Sequence, residues 1–425
     1  MILFLKKTLF FGTLLVIFLF QAYLLRFKIF QIPTTFIEIL IYLNFLLLIL
    51  LLLFDKKERE EVKKKIKVLA VKNKMLVFGL FLLVAAAFVS SCLSSNQLSS
   101  FGLFKAYFLD PLIFFILFVS VFSYKNINLA LNIFLASGIV VALLSLFYFS
   151  SGNLTYDGRL QGIFNSPNFL AMSLAPVILI AFWNFFFRGY AGAVGKLISL
   201  AALFVLVPVF FLTYSYGAFF GLFLALFFLG LASKRSVVFK SVFCLSLLFL
   251  AFSVFFLQAD TKKTKDLLLK DDRSSLQSRE MIWSASKIIL KENYILGIGP
   301  GMFQKYYLLH QKDFKEPYLE WAVPYPHNIF LAFWIQLGIL GILGFIFILI
   351  WVFKVCFFII FHSSFEDKKT KKTASEAAGL VGAFFIYFLS HGLVDTPYWK
   401  NDLALTFFLF LSIALFLQQQ TKTQE

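Results

Sequence analysis

The chain has 425 residues, 60% of them hydrophobic, with a mean hydropathy of +0.87. Repeated apolar runs of about eighteen or more residues exclude a soluble globular protein and call for a polytopic membrane protein. The net charge of +17 does not point to nucleic acid, because the basic residues gather in short loops between apolar runs, as cytoplasmic loops do.

In chain order the apolar runs fall at 8–25, 36–54, 75–93, 101–122, 127–149, 167–187, 197–213, 217–232, 237–257, 327–353, 377–394 and 401–418. Each is about long enough to cross ~30 Å of hydrocarbon as a helix, so the expected fold class is an all-α transmembrane bundle of about twelve spans. The first run follows Lys6 and Lys7 like a signal peptide, but no small-residue cleavage site follows and a second run comes at once. An uncleaved helix is the better reading. The loops predicted cytoplasmic are 55–74, with nine Lys and Arg, 125–126, 188–196, 234–240 and 366–372, whereas the short loops predicted outside, such as 94–100, 150–161 and 395–402, carry few. That alternation predicts cytoplasmic N- and C-termini, with Arg26 and Lys28 on the disfavoured side.

One segment interrupts the series. Residues 258–326 are polar, with eleven basic and nine acidic residues, and contain an amphipathic stretch at 280–290. Long loops escape the charge rule, so this one is expected outside, as a lid or platform for a site. The expected organisation is an N-terminal bundle at 1–257, the large loop at 258–326, and C-terminal helices with a short cytoplasmic tail at 327–425. The cysteines Cys92, Cys244 and Cys356 lie far apart and indicate neither a disulfide framework nor a zinc site.

Three clusters that fall on the outer face carry chemistry. The first runs from Asp157-Gly158-Arg159 to Pro167-Asn168. The second is Gln277-Ser278-Arg279-Glu280-Met281-Ile282-Trp283, followed by the glycine turn Gly297-Ile298-Gly299-Pro300-Gly301. The third is Pro326-His327-Asn328, at the mouth of the tenth span, where positions 331, 334, 338 and 341 continue one face from His327 at helical spacing. Gly338, Gly341 and Gly344 would let a neighbouring helix approach closely. Two arginines can grip phosphate oxygens and a histidine can take a hydroxyl proton, which suits displacement of a phosphate leaving group by an alcohol. Taken singly, each arginine reads as readily as a snorkelling interfacial residue, and His327 as a helix-capping one. His391 and Asp395, at the end of the eleventh span, are a structural helix end or a second source of an imidazole and a carboxylate. No P-loop, HExxH or DxD occurs, so ATP hydrolysis, zinc proteolysis and a metal-bound nucleotide-sugar site lack support.

These motifs, in this order and topology, resemble the O-antigen ligase and polymerase family of bacterial membrane glycosyltransferases. The resemblance rests on Gly158-Arg159-Leu160 through Pro167-Asn168, Ser278-Arg279 through Trp283, Gly297-Ile298-Gly299, and Pro326-His327-Asn328 with Leu331, Gly338 and Gly341. It implies a C-type glycosyltransferase fold in the bacterial inner membrane that takes a glycan from undecaprenyl pyrophosphate on the outer face. The glycan would pass to a hydroxyl on a lipid, glycan or protein acceptor, without metal or cofactor. In that frame His327 activates the acceptor, Arg279 and Arg159 bind the pyrophosphate, and Asn328, Asp395 and Tyr216 line the site. One departure stands out: Thr213-Tyr214-Ser215-Tyr216-Gly217 places Tyr216 where family members often carry an arginine, and tyrosine brings no charge. Ligase and polymerase share these motifs. A transporter or non-catalytic scaffold is the contrasting reading; a transporter should hold ionisable groups near the bilayer midplane, but the nearest candidates, Glu38, Lys105 and Asp110, lie toward helix ends, which favours the enzyme.

Overall fold

A computed structural model describes residues 2–29, 32–188, 192–258, 275–310, 322–362 and 368–422. The fold is all-α and polytopic. The N-terminal half places α1 (Ile2–Phe18), α2 (Phe36–Phe54), α3 (Lys56–Lys72), α4 (Lys74–Cys92), α5 (Gln97–Phe104), α6 (Asp110–Val121) and α7 (Ile127–Ser150) in sequence. It continues with α8 (Pro167–Phe182), α9 (Ala193–Phe211), α10 (Tyr216–Ala232) and α11 (Val237–Gln258). Two helices of the large loop follow, α12 (Ser275–Asn293) and α13 (Phe303–His310), and then α14 (Ile329–Phe357), α15 (Lys368–Gly392) and α16 (Asn401–Lys422).

Among the described residues nine helical stretches are long and apolar enough to cross a membrane, and two shorter apolar helices begin at Tyr216 and Val237. With α1 they correspond one for one to the twelve apolar runs. Buried side chains from Leu9 to Leu417 form one continuous core, so helices before and after the large loop share it. The most enclosed spans are those starting at Pro167, Lys371 and Asn401.

Several local expectations change. The first helix starts six residues before the predicted run and ends at Phe18, because Lys6 is not left in hydrocarbon: its ammonium meets Glu58 at 2.6 Å and Asp55 at 3.1 Å. The basic loop 55–74 is largely helix α3, whose first amides, Lys57 and Glu58, are capped by the Asp55 carboxylate. Residues around Arg26 form a small antiparallel hairpin, β1 (Arg26–Ile29) paired with β2 (Ile32–Thr35). The last helix runs past the predicted end of its span at 418 to Lys422, and the final three residues lie outside the described ones, as do parts of the predicted loops 258–326 and 366–372. Glu38, in contrast, lies at a helix end as expected: it completes a capping box with Thr35 at the start of α2 and pairs with Lys105 at 2.9 Å. Asp110 accepts from the Tyr42 hydroxyl.

The glycines of α14 act in two different ways. Gly344 lies against the backbone of α4, where an added Cβ would come within 2.7 Å of the Leu83 nitrogen and 2.8 Å of the Gly79 oxygen. That is the close helix approach expected from sequence. Gly338 instead breaks the helix, with φ 71° and ψ −170°. The break frees backbone groups that the large loop then satisfies. Ile298 N donates to Ile335 O at 2.9 Å, Gly299 N to Gln336 O at 3.0 Å, and Ile339 N to Ile295 O at 3.1 Å. The Gln336 side chain adds an acceptor for Gly301 N at 2.7 Å. The turn at 297–301 is therefore a plug seated in a broken helix. Beside it, Ile282, Ala285, Ile289, Ile298, Phe303, Tyr307 and Ile335 form a second small core that ties the loop to the part of α14 before the break.

Candidate active site

Three loops that lie far apart in sequence converge over this second core. His327 precedes α14 in a left-handed backbone conformation, φ 46°. The helix itself is capped by the next residue: Asn328 Oδ1 accepts from Phe330 N and Leu331 N, both at 3.0 Å. The Asn328 amide donates in turn to Leu393 O at 3.0 Å, which draws the turn after α15 up to the start of α14. His327 Nδ1 then lies 3.0 Å from Asp395 Oδ1.

Asp395 is held at both oxygens. Thr396 N donates to Oδ1 at 2.9 Å, and the Asn168 amide donates to Oδ2 at 2.9 Å. Asn168 Oδ1 accepts from the Arg159 guanidinium at 2.7 Å, and Arg159 Nε donates to Thr213 O at 2.8 Å. A run of polar contacts therefore connects Arg159, Asn168, Asp395 and His327. Helix α12 closes the other side: Arg279 Nε donates to Val394 O at 2.8 Å and Trp283 Nε1 to Pro326 O at 3.1 Å. Those two bonds attach α12 to the residues flanking Asp395 and His327.

The side chains enclose a cavity of about 190 Å³ lined by Arg159, Asn168, Ser215, Tyr216, Gly217, Ser278, Arg279, Ile282, His327 and His391. Its charge balance favours an anion. Burial alone would push the Asp395 carboxyl up, but the charge and hydrogen bond of His327, with His391 and Arg279 nearby, outweigh it and hold the group well below the usual carboxylate range. Burial lowers the pKa of the Arg159 guanidinium, against the opposing pull of Asp157 and Asp395. With an intrinsic value so far above neutrality, arginine stays a cation. The start of α10, at Tyr216 and Gly217, also faces the cavity and adds its positive helix end.

Set against the residues anticipated from sequence, His327, Arg279, Arg159 and Tyr216 line one cavity, and Asp395 stands directly behind His327. Asn328 does not line it; its side chain is occupied as helix cap and loop tether. The face expected to run from His327 through 331, 334, 338 and 341 does not exist, because the helix begins after His327 and breaks at Gly338. Asn168 was visible only as a motif letter, yet it links Arg159 to Asp395. His391 lies at the cavity wall and not merely at a helix end.

Residues 201–346 match the family described as O-antigen ligase. Over that third of its length the chain is similar to the O-antigen ligase family. The match runs from α9 into α14, taking in Tyr216, Arg279 and His327. Arg159, Asn168 and His391 lie outside the matched stretch and complete the cavity wall, with Asp395 behind it. No curated protein matches the chain. Among the described residues no group of three or more His, Cys, Asp or Glu is arranged to hold a metal ion.

Proposed function

We propose that this cavity transfers a glycan from undecaprenyl pyrophosphate to an acceptor hydroxyl, as an O-antigen ligase-type glycosyltransferase. The observation that carries the reading is the His327–Asp395 pair at 3.0 Å facing two arginines across one cavity. Asp395 fixes the imidazole through Nδ1, which leaves Nε2 to accept the proton of the acceptor hydroxyl. The hydroxyl oxygen forms a bond to the anomeric carbon as the bond from that carbon to the pyrophosphate oxygen breaks. The electron pair departs with the pyrophosphate, so a single displacement inverts the anomeric centre. Arg279 and Arg159 stabilise the charge that develops on the leaving group. Arg159 already donates to Thr213 and Asn168, so it acts by its field and by placing Asn168, while Arg279 on α12 meets the phosphates.

In this reading the cavity end of the bundle faces away from the cytoplasm. The termini and the Lys6–Asp55–Glu58 cluster lie at the cytoplasmic side of a bacterial inner membrane. The test is transfer by the purified full chain from a fluorescent undecaprenyl-pyrophosphate glycan to a panel of acceptors. Product from wild type and none from His327→Ala is expected. Equal product from both would end the assignment of His327. Transfer to a lipid or protein acceptor marks a ligase, and transfer only to a second donor glycan marks a polymerase.

A further inference from the structure

His391 has no part in the displacement just described, yet it forms part of the same wall. Its side chain is almost wholly enclosed, 1% exposed for the residue, in the last turn of α15. Nδ1 lies 2.9 Å from the Tyr387 hydroxyl, one helical turn back on the same helix. The opposite edge of the ring faces the start of α10: a Cβ built on Gly217 would stand 3.1 Å from Cδ2 and 3.5 Å from Nε2 of His391. Among the described residues Nε2 has no hydrogen-bond partner, and the ring borders the cavity between Gly217 and Arg279. A polar nitrogen on a cavity wall with no protein partner is open to a ligand or water there.

We propose that His391 is an anion-binding residue, its Nε2–H donating to a phosphate oxygen of the pyrophosphate group while Tyr387 fixes the tautomer. The tyrosine hydroxyl donates to Nδ1, which places the ring proton on Nε2, the nitrogen that faces the cavity. Glycine at 217 keeps this edge uncovered, since a side chain there would meet both His391 and Val394, the latter at 2.6 Å. The ring thus adds a short, neutral donor beside the guanidiniums, at the point where the amides of α10 also face the ligand. Such a donor contributes positional selectivity for a diphosphate without further cationic repulsion near Arg159 and Arg279. The inference rests on the cavity being a pyrophosphate site, as proposed above.

The experiment uses the full chain in nanodiscs and inorganic pyrophosphate as the probe, read by calorimetry, with ¹⁵N spectra of histidine-labelled protein. The chain has four histidines, so the ring signals are few. Wild type and Arg279→Ala report on the cavity as an anion site; His391→Leu, His391→Gln and Tyr387→Phe report on the imidazole. The expected result is at least about tenfold weaker pyrophosphate binding in His391→Leu, with most of it regained in His391→Gln, whose amide nitrogen can reach the position of Nε2. Tyr387→Phe should weaken binding by a smaller factor. The wild-type spectrum, which depends on no variant, should show His391 protonated at Nε2 and shifting when pyrophosphate is added. Equal binding by His391→Leu and wild type, with Arg279→Ala weakened, would overturn the role of His391 and leave the site intact. A proton on Nδ1 would do the same. Absence of binding by wild type would overturn the site reading and this inference with it.

Discussion

His327 Nδ1 and Asp395 Oδ1 meet at 3.0 Å although 68 residues separate them in the chain. The carboxylate side chain is 3% exposed and the imidazole 29%, so the first is a buried support and the second reaches the cavity. Asp395→Asn should keep the shape but offer an amide that can hold the wrong tautomer. By analogy with other carboxylate–histidine pairs, turnover should fall by about 10²–10⁴. Steady-state kinetics should show this in kcat, with the donor KM little changed. A large rise in donor KM at constant kcat would instead make Asp395 a binding residue.

Arg279→Lys keeps one positive charge but loses the Nε–H that donates to Val394 O and the planar fork that matches phosphate. The donor KM should rise by about tenfold or more, corresponding to roughly 1.4 kcal/mol, while the acceptor KM is unchanged. A silent substitution would argue against phosphate contact at this position.

Asp395 also links stability to pH. Its folded pKa lies below the ordinary carboxylate value of about 3.9, so ionisation favours the folded chain. That contribution is complete above roughly pH 4 and is lost as the pH falls through the folded value. Thermal unfolding followed from neutral pH downward should therefore show wild type losing Tm in the acid range. Asp395→Asn should lack that portion of the loss. Parallel curves for the two proteins would assign the acid lability elsewhere.

Gly338→Ala tests the plug. A conformation of φ 71° and ψ −170° is essentially reserved to glycine, and forcing another residue into it costs about 1–3 kcal/mol. The new methyl would also stand 2.1 Å from Ile295 O, which is too close to tolerate without moving the loop. Tm should fall, and limited proteolysis should cut the segment around 294–302 sooner than in wild type. Unaltered protease resistance would mean that the seam is not what holds the loop.

Chelation offers a simple check on the chemistry. If guanidinium groups stabilise the leaving group, EDTA should leave transfer at the wild-type rate. Loss of activity that returns with a divalent cation would contradict that mechanism.

Much of this was legible in the sequence for a physical reason. Apolar length reports membrane spans directly, so the twelve runs and the loop near 258–326 could be read before any coordinates. His327, Arg279 and Arg159 stood out because charged or titratable groups at span ends are few. Pairing was not legible. Asn168 lies 227 residues from Asp395, and no periodicity encodes a hydrogen bond across that distance. Gly338 looked like a packing glycine because a helix pattern continues on both sides of it. Only the three-dimensional path shows that Ile295–Gly299 supplies the missing backbone partners.

The seam at Gly338 also decides which body the candidate active-site histidine belongs to. Nine residues, Ile329–Leu337, separate the start of α14 from the break, a column of roughly 13 Å. The end of this column next to Gly338 is latched to the loop through three hydrogen bonds, at Ile335 O, Gln336 O and the Gln336 side chain. Its outer end is latched to α12 through Trp283 and Pro326. His327 is thereby tied to the loop helix that carries Arg279, while the bond from Ile339 N to Ile295 O joins the same loop to the far side of the break. One layer therefore sets His327 and Arg279 together, and their alignment with Arg159 depends on the Asp395–Asn168 contact that joins that layer to α8.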